Sequence, residues 1–348
     1  MIRRHLCLRG LDARQLIVKE TLVASTNVAR IAILDDYQNV SLEMADWSPL
    51  AGRAVITVFN DHLSNFDEIV ERLLPFDAVC VMRERTPLPR AVIERLPRLK
   101  LIASTGPRNA AIDIDAAAER GIVVAHTGYD GRSTIEMTWA LILASVRHVA
   151  LENAYLRAGG WQRTVGDGLQ GKTLGVLGLG NIGSEVARIG LAFGMEVIAW
   201  SQNLTADKAQ ACGARLVSKE ELFRNADILT IHLVLSQRTK GLVGAAELQA
   251  MKPSARLINT SRGPIVDEPA LIEVLRERRI AGAALDVFDI EPLPTDHPFR
   301  SLENVLSTPH IGYVARDLYR TFYGDTVKNI TRWLDGGPKY EPDDTGKQ

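Results

Sequence analysis

Apolar runs and amphipathic stretches alternate along most of the chain. From residue 30, RIAILDDY is an apolar run ending in acids; VITVF (55–59), FDAVCVM (76–82), LKLIAST (99–105) and IVVAHT (122–127) are further runs of strand length. Between them, FDEIVERLL (66–74) and IDIDAAAERG (112–121) place apolar residues at helical intervals, the second closed by glycine. STIEMTWALILASVRHVA (133–150) predicts a long helix, with Ser133 or Thr134 as its cap and Glu136 in its first turn. YLRAGGWQRTVGDGLQGK (155–172) is polar, glycine-rich and aperiodic, as a linker or surface loop would be.

A second alternating series starts at Thr173. TLGVLG, MEVIAW, ARLVS, DILTIHLVL, ARLINTS, GAALDVF and NVLSTP predict strands; NIGSEVARIGLAFG, EELFRNA, AAELQAM and EPALIEVLRER predict helices. Such alternation points to an α/β protein of two domains with doubly wound parallel sheets. ARDLYRTFYGDTVKNITRWLDGG (315–337) reads as a closing helix that returns to the first domain. The expected division is therefore 28–128 plus 313–336 for the first domain and 129–312 for the second. An extension over 1–27 and a polar tail over 337–348 flank them.

Composition narrows the classes of function. The 348 residues are 46% hydrophobic and 24% charged, enough for two cores, and a net charge of -1 gives no electrostatic reason to expect nucleic acid. No apolar window of about 18 residues predicts a membrane span, and residues 1–27 lack the apolar core of a secretory signal. Cys7, Cys80 and Cys212 are scattered, which suggests a reducing, cytoplasmic setting and no metal site.

The densest chemistry lies in VLGLGNIG (176–183). Gly178, Gly180 and Gly183 form G-x-G-x-x-G between a strand and a helix. The first glycine permits a tight turn, the second admits a pyrophosphate to the backbone, and the third lets helix and strand pack closely. The helix opening at Asn181 and Ile182 offers unpaired amides to the phosphates. The next strand should end in an acid that holds the adenosine ribose; MEVIAW ends instead in Ser201, Gln202 and Asn203. With no cation at that tip, the balance tips toward NAD(H); NADP(H) stays open, with Lys208 as a cation in reach.

Together with GKTLGVLGLGNIG (171–183), the motifs HLVLSQRTKGLVG (232–244), MKPSARLINTSRGPIVDEPAL (251–271), GAALDVFDIEPLP (282–294) and TPHIGY (308–313) stand in a specific order. In this the chain resembles the D-isomer-specific 2-hydroxyacid dehydrogenases, over roughly residues 30–336. The resemblance implies a flavodoxin-like substrate domain (28–128 plus 313–336), a Rossmann-type NAD(P)-binding domain (129–312), and a nicotinamide-dependent 2-oxoacid reductase in which Arg262 holds the substrate carboxylate and carbonyl. His310 would exchange a proton with the reacting oxygen and Glu291 would orient it. An arginine fork suits two substrate oxygens, and histidine's ordinary pKa of about 6.5 suits proton exchange. The resemblance also places Asp286, His232, Thr239 and Thr260 around the cofactor, Asp286 either at the carboxamide or supporting its own loop. It implies a homodimer, with the long helix near 133–150 as an interface element.

The chain departs from the family pattern where substrate would sit. VMRERTPLP (81–89) carries Glu84 after Arg83, where many relatives have serine. A glutamate beside an anionic substrate must point away, pair with a cation or select an unusual substrate. STGPRNAAID keeps Gly106 but adds Arg108 and Asn109, either substrate contacts or exposed loop residues, and Gly312-Tyr313 follows His310, with Tyr313 narrowing the cleft mouth or packing the last helix. Tyr129 and Asp130 replace a common glycine–asparagine turn. Two other readings stay open: a formate- or phosphite-oxidising relative, and a dinucleotide-sensing corepressor. Intact Arg262, Glu291 and His310 speak against the corepressor.

Overall fold

The computed structural model describes residues 28–337; the expected extension and the end of the tail lie outside them. The first sheet contains β1 (Ala29–Ile33), β2 (Ala54–Val58), β3 (Ala78–Val81), β4 (Leu101–Ser104) and β5 (Val123–His126), all parallel, in the order β2-β1-β3-β4-β5. The second contains β6 (Thr173–Leu177), β7 (Glu196–Trp200), β8 (Arg215–Leu216), β9 (Ile228–Ile231), β10 (Arg256–Asn259), β11 (Gly282–Leu285) and β12 (Val305–Ser307). These are also all parallel, in the order β12-β11-β10-β9-β6-β7-β8. Central strands such as β3, β4, β9 and β10 are buried at every position, which is why they read as unbroken apolar runs.

Three local expectations needed correction. The long helix runs Arg132–Val146 with Gly131 as its N-cap, so Ser133 and Thr134 lie inside it. The free amide of Arg132 is taken by the Asp130 carboxylate at 2.8 Å, a partner outside the residues expected to cap. The helix then breaks at His148, in the left-handed region at φ 52, and a second helix, Val149–Arg157, leaves at 62°. Finally, the strand read from DILTIHLVL stops at Ile231, because the chain turns into the cleft at His232. Two short helices, Arg90–Ile93 and Ala206–Ala211, were not anticipated, each too short to display a hydrophobic period.

The last helix, Arg316–Leu334, lays Tyr319, Phe322, Tyr323 and Ile330 against Ile31 and Ile33 of the first sheet. The carboxyl ends of strands in both sheets meet at one cleft: Arg262, beyond β10, reaches Glu84, beyond β3, at 3.0 Å. Each sheet reverses its strand order beside this cleft, between β1 and β3 in one and between β6 and β9 in the other, where a doubly wound fold presents ligands.

Candidate active site

His310 stands two residues past Thr308, whose amide extends the β11–β12 edge by donating to the Leu285 carbonyl at 2.9 Å. Asp286, fully buried, holds this loop. It accepts from the Thr308 hydroxyl at 2.6 Å and from the amides of Ile311 and Gly312 at 2.9 and 2.7 Å. Burial pushes the Asp286 carboxyl up, and those donors act against that push. Gly312 is required by the close approach: a Cβ there would lie 2.9 Å from an Asp286 oxygen. Of the two roles expected for Asp286, its oxygens serve loop support.

His310 Nδ1 lies 2.5 Å from Glu291 Oε2, and Glu291 Oε1 accepts the Phe288 amide at 2.9 Å. The carboxylate is thus anchored at one end and aims the imidazole with the other, leaving Nε2 without a hydrogen bond to the described residues. Arg262 joins them because Gly263 lets its loop abut the backbone at Phe288, where a Cβ would sit 2.1 Å from the carbonyl carbon. Asn259, 1% exposed, donates to the Arg262 carbonyl at 3.0 Å and fixes the turn. The Arg262 guanidinium gives Nη1 to the Ser261 carbonyl at 2.7 Å and Nη2 to Glu84 at 3.0 Å.

Glu84 therefore pairs across the cleft. Burial alone would push its carboxyl up, but Arg262 and Arg83, the latter 3.8 Å away, hold it below the usual carboxylate range. Arg83 takes φ 54, its amide donates to the Thr105 hydroxyl at 2.9 Å, and its guanidinium lies 5.4 Å from the Tyr129 ring centre. Gly106, at φ 83, leaves the space Arg83 fills: a Cβ there would overlap the guanidinium at 1.7 Å. Arg108 is exposed. Asn109 is buried, its amide engaged with the Arg83 carbonyl at 2.6 Å and Ser104 at 3.1 Å, so it braces the loop and presents no group to the cleft, against the expectation of a substrate contact. Tyr313 is 5% exposed and stands edge-on to the His310 ring at 5.3 Å, so it walls the site while packing the start of the last helix.

The glycine turn fits a dinucleotide. Gly178 has φ 101, and a Cβ there would meet the His232 carbonyl oxygen at 2.6 Å; at Gly183 it would meet the Gly178 oxygen at 2.0 Å. At Gly180 nothing beyond its own chain neighbours lies within 4 Å of that position among the described residues. Packing does not demand glycine at Gly180, whereas close approach of a ligand to the backbone does. Asn181 and Ile182 open the helix Asn181–Ala192 above it. Farther along the edge, a cleft of about 370 Å³ is lined by Trp200, Ser201, Gln202, Asn203, Arg238 and Thr239. Thr239 closes the loop beneath it, its hydroxyl donating to the Val234 carbonyl at 2.7 Å. Thr260 meets the Thr138 hydroxyl at 2.8 Å. His232 Nε2 lies 2.9 Å from the Thr230 hydroxyl, and burial pushes its pKa down to about 3, so this ring is neutral.

The segments that build this cleft match a family model described as D-isomer specific 2-hydroxyacid dehydrogenase, NAD binding domain, over residues 139–312. The chain belongs to that family. The dehydrogenase is 43% identical over 255 residues to a glyoxylate reductase of Aeropyrum pernix, covering 70% of this chain and 76% of that protein. It is 37% identical over 273 residues to a D-3-phosphoglycerate dehydrogenase of Methanocaldococcus jannaschii, covering 76% of this chain but 52% of that one. It thus spans about half the length of that phosphoglycerate dehydrogenase. Among solved structures, a phosphoglycerate oxidoreductase from Vibrio cholerae superposes with a TM-score of 0.85 at 37% identity, covering 89% of this chain and all of that one. The dehydrogenase is accordingly of an oxidoreductase class that acts on CH–OH donors with NAD(P).

Two cleft residues escaped the sequence reading. Arg238 stands directly before Thr239 in HLVLSQRTKGLVG, and Arg85 lies two residues past Arg83. Nothing local distinguishes either from a solvated arginine; each acquires meaning only from what folds against it.

Proposed function

We propose that the dehydrogenase reduces a 2-oxo acid to its D-2-hydroxy acid, and runs the reverse, through His310, Glu291 and Arg262. The observation that carries this reading is the His310–Glu291 contact at 2.5 Å, which leaves the other imidazole nitrogen free, with Gly263 of the Arg262 loop packed on the Phe288 backbone that anchors Glu291. A bound nicotinamide supplies or accepts the hydride. Arg262 orients the 2-oxo carboxylate and polarises the carbonyl. His310 gives its Nε2 proton to the carbonyl oxygen as charge develops there, and Glu291 keeps the ring turned and stabilises its protonated form. The neutral His232 has no proton to spare for that step. Asp286 acts as a positioning residue for the His310 loop. The test is a panel of 2-oxo acids, glyoxylate and hydroxypyruvate among them, with NADH and NADPH in parallel. Absence of nicotinamide oxidation with every acid would sink the reading.

For the cofactor, the absence of a cation at the Ser201–Asn203 tip was the ground for favouring NAD(H), and Arg238 weakens it by entering the same cleft from the neighbouring loop. With no acid to repel a 2′-phosphate, both cofactors bind, and Arg238 is the group that pairs with the phosphate. Arg238→Ala is expected to raise KM for NADPH by roughly ten-fold with a much smaller change for NADH. An equal change for both would remove Arg238 from this role.

The protein is further proposed to be a homodimer, with a shifted contact. The helix Arg132–Val146 buries Trp139, Leu141, Ile142 and Val146 within its own chain. The apolar surface left over follows it: Leu156 is 55% exposed, Trp161 75% and Val165 95%. A second copy covers that surface. The double substitution Trp161→Asp and Val165→Asp should halve the mass measured by light scattering; an unchanged mass would place the contact elsewhere.

A further inference from the structure

Three guanidinium groups stand on the substrate-domain side of the cleft or reach it, and one of them makes no ion pair among the described residues. Arg83 and Arg262 share Glu84, at 3.8 and 3.0 Å. Arg85 has no carboxylate within 4.0 Å among the described residues. The adjacent Glu84 is shared by Arg83 and Arg262, and the Asp35 carboxylate accepts from the Thr86 hydroxyl at 2.6 Å and lies 2.9 Å from His62 Nδ1; the Asp35 backbone carbonyl takes Arg85 Nη1, at 2.7 Å. Arg85 is nevertheless largely covered. Its Cζ sits 4.5 Å from the Tyr37 ring centre and 5.4 Å from that of Tyr313, a cation held between two aromatic faces. Aromatic faces and one carbonyl compensate a half-buried charge only in part.

This cation is linked to the proposed acid–base residue through one shared ring. The Tyr313 ring that flanks Arg85 also flanks His310, in two consecutive steps of 5.4 and 5.3 Å. The Tyr313 hydroxyl is buried and makes no hydrogen bond to the described residues, so a donor without an acceptor accompanies a cation without an ion pair. Arg85 Nη1 donates to the Asp35 carbonyl and the guanidinium also meets the Tyr319 hydroxyl, but it makes no hydrogen bond to a carboxylate among the described residues. A guanidinium fork that lacks an ion-pair partner matches the two coplanar oxygens of a carboxylate. In a five-carbon 2-oxo diacid, three C–C bonds separate C2 from the distal carboxylate carbon, roughly 4 Å at full extension.

We infer that Arg85, with the Tyr313 hydroxyl, receives a second carboxylate on the substrate, so that the preferred substrates are 2-oxo dicarboxylic acids and the corresponding 2-hydroxy diacids. This rests on the proposed hydroxyacid dehydrogenase reading and narrows it. Arg262 takes the carboxylate next to the reacting carbon, and Arg85 takes the distal one. A monocarboxylic 2-oxo acid leaves the Arg85 edge unanswered, which turns an unpaired charge into discrimination between substrates.

The experiment compares chain-matched pairs: oxaloacetate against 2-oxobutyrate, and 2-oxoglutarate against 2-oxovalerate, in the full-length protein and in Arg85→Gln and Tyr313→Phe. The expected result is a kcat/KM for at least one diacid about 10- to 100-fold above its matched monoacid. That ratio should collapse toward unity in Arg85→Gln, through KM for the diacid, and fall by a smaller factor in Tyr313→Phe. Monoacids equal to or better than diacids would overturn the proposal, as would 3-phosphohydroxypyruvate surpassing every diacid, which would assign the Arg85 edge to a phosphate. A ratio that survives Arg85→Gln, with both substrates weakened alike, would make Arg85 a structural residue and overturn it too. Failure of the underlying reading looks different: no 2-oxo acid of any kind would then oxidise NADH or NADPH.

Discussion

His310→Gln is expected to lower kcat for 2-oxo acid reduction by about 10²- to 10⁴-fold, the range for removing a positioned acid–base group, while leaving dinucleotide affinity within about two-fold. The separation follows from where the loop gets its order. Thr308, Ile311 and Gly312 are tied to Asp286, and His310 contributes no side-chain bond to that bracket. The glutamine amide can still reach Glu291, which remains anchored by the Phe288 amide. The substitution therefore removes the exchangeable proton and keeps the frame. Trp200 lines the cleft proposed for the adenosine end, so its fluorescence can report dinucleotide binding in a variant that no longer turns over. Turnover close to that of the unsubstituted protein would disprove the acid–base assignment. His232 is a poor substitute for the lost group, because burial keeps it neutral.

Arg262→Ala is expected to cost about 10²- to 10³-fold in kcat/KM, comparable to removing a donor that stabilises charge at the reacting oxygen. Lysine at this position should recover little, since a point charge cannot bridge carboxylate and carbonyl as the planar fork does. Part of the loss has a second origin. Without Arg262, Glu84 keeps only Arg83, at 3.8 Å, and stands as a weakly compensated anion facing an anionic substrate. Adding Glu84→Gln to Arg262→Ala should restore a fraction of the lost kcat/KM, and the double-mutant cycle measures that fraction directly. A loss confined to KM, with kcat intact, would show that Arg262 binds substrate and transition state equally and takes no part in polarising the carbonyl.

The ordering of strands and helices was legible because both sheets are parallel and covered on both faces: each central strand is buried throughout and announces itself as an apolar run. The glycine turn was legible for a related reason. A backbone that must approach another backbone, as Gly183 approaches the Gly178 carbonyl, tolerates no other residue. Elements shorter than a hydrophobic period escaped, as at Arg90–Ile93 and Ala206–Ala211. So did helix ends closed by a neighbouring side chain: Asp130 lies just outside the residues expected to cap.

By itself the sequence determined the α/β class, the dinucleotide turn and the family, because these depend on local periodicity and on residues that must stand at set spacings within one segment. The tertiary structure alone decided what each charged side chain faces. Glu84 and Arg262 are 178 residues apart in the chain and 3.0 Å apart in the fold, and the Asp35 carboxylate meets Thr86 and His62 while Arg85 takes only its backbone carbonyl. Pairing energy depends on distance and burial in space, and neither is encoded in the neighbours of a residue along the chain.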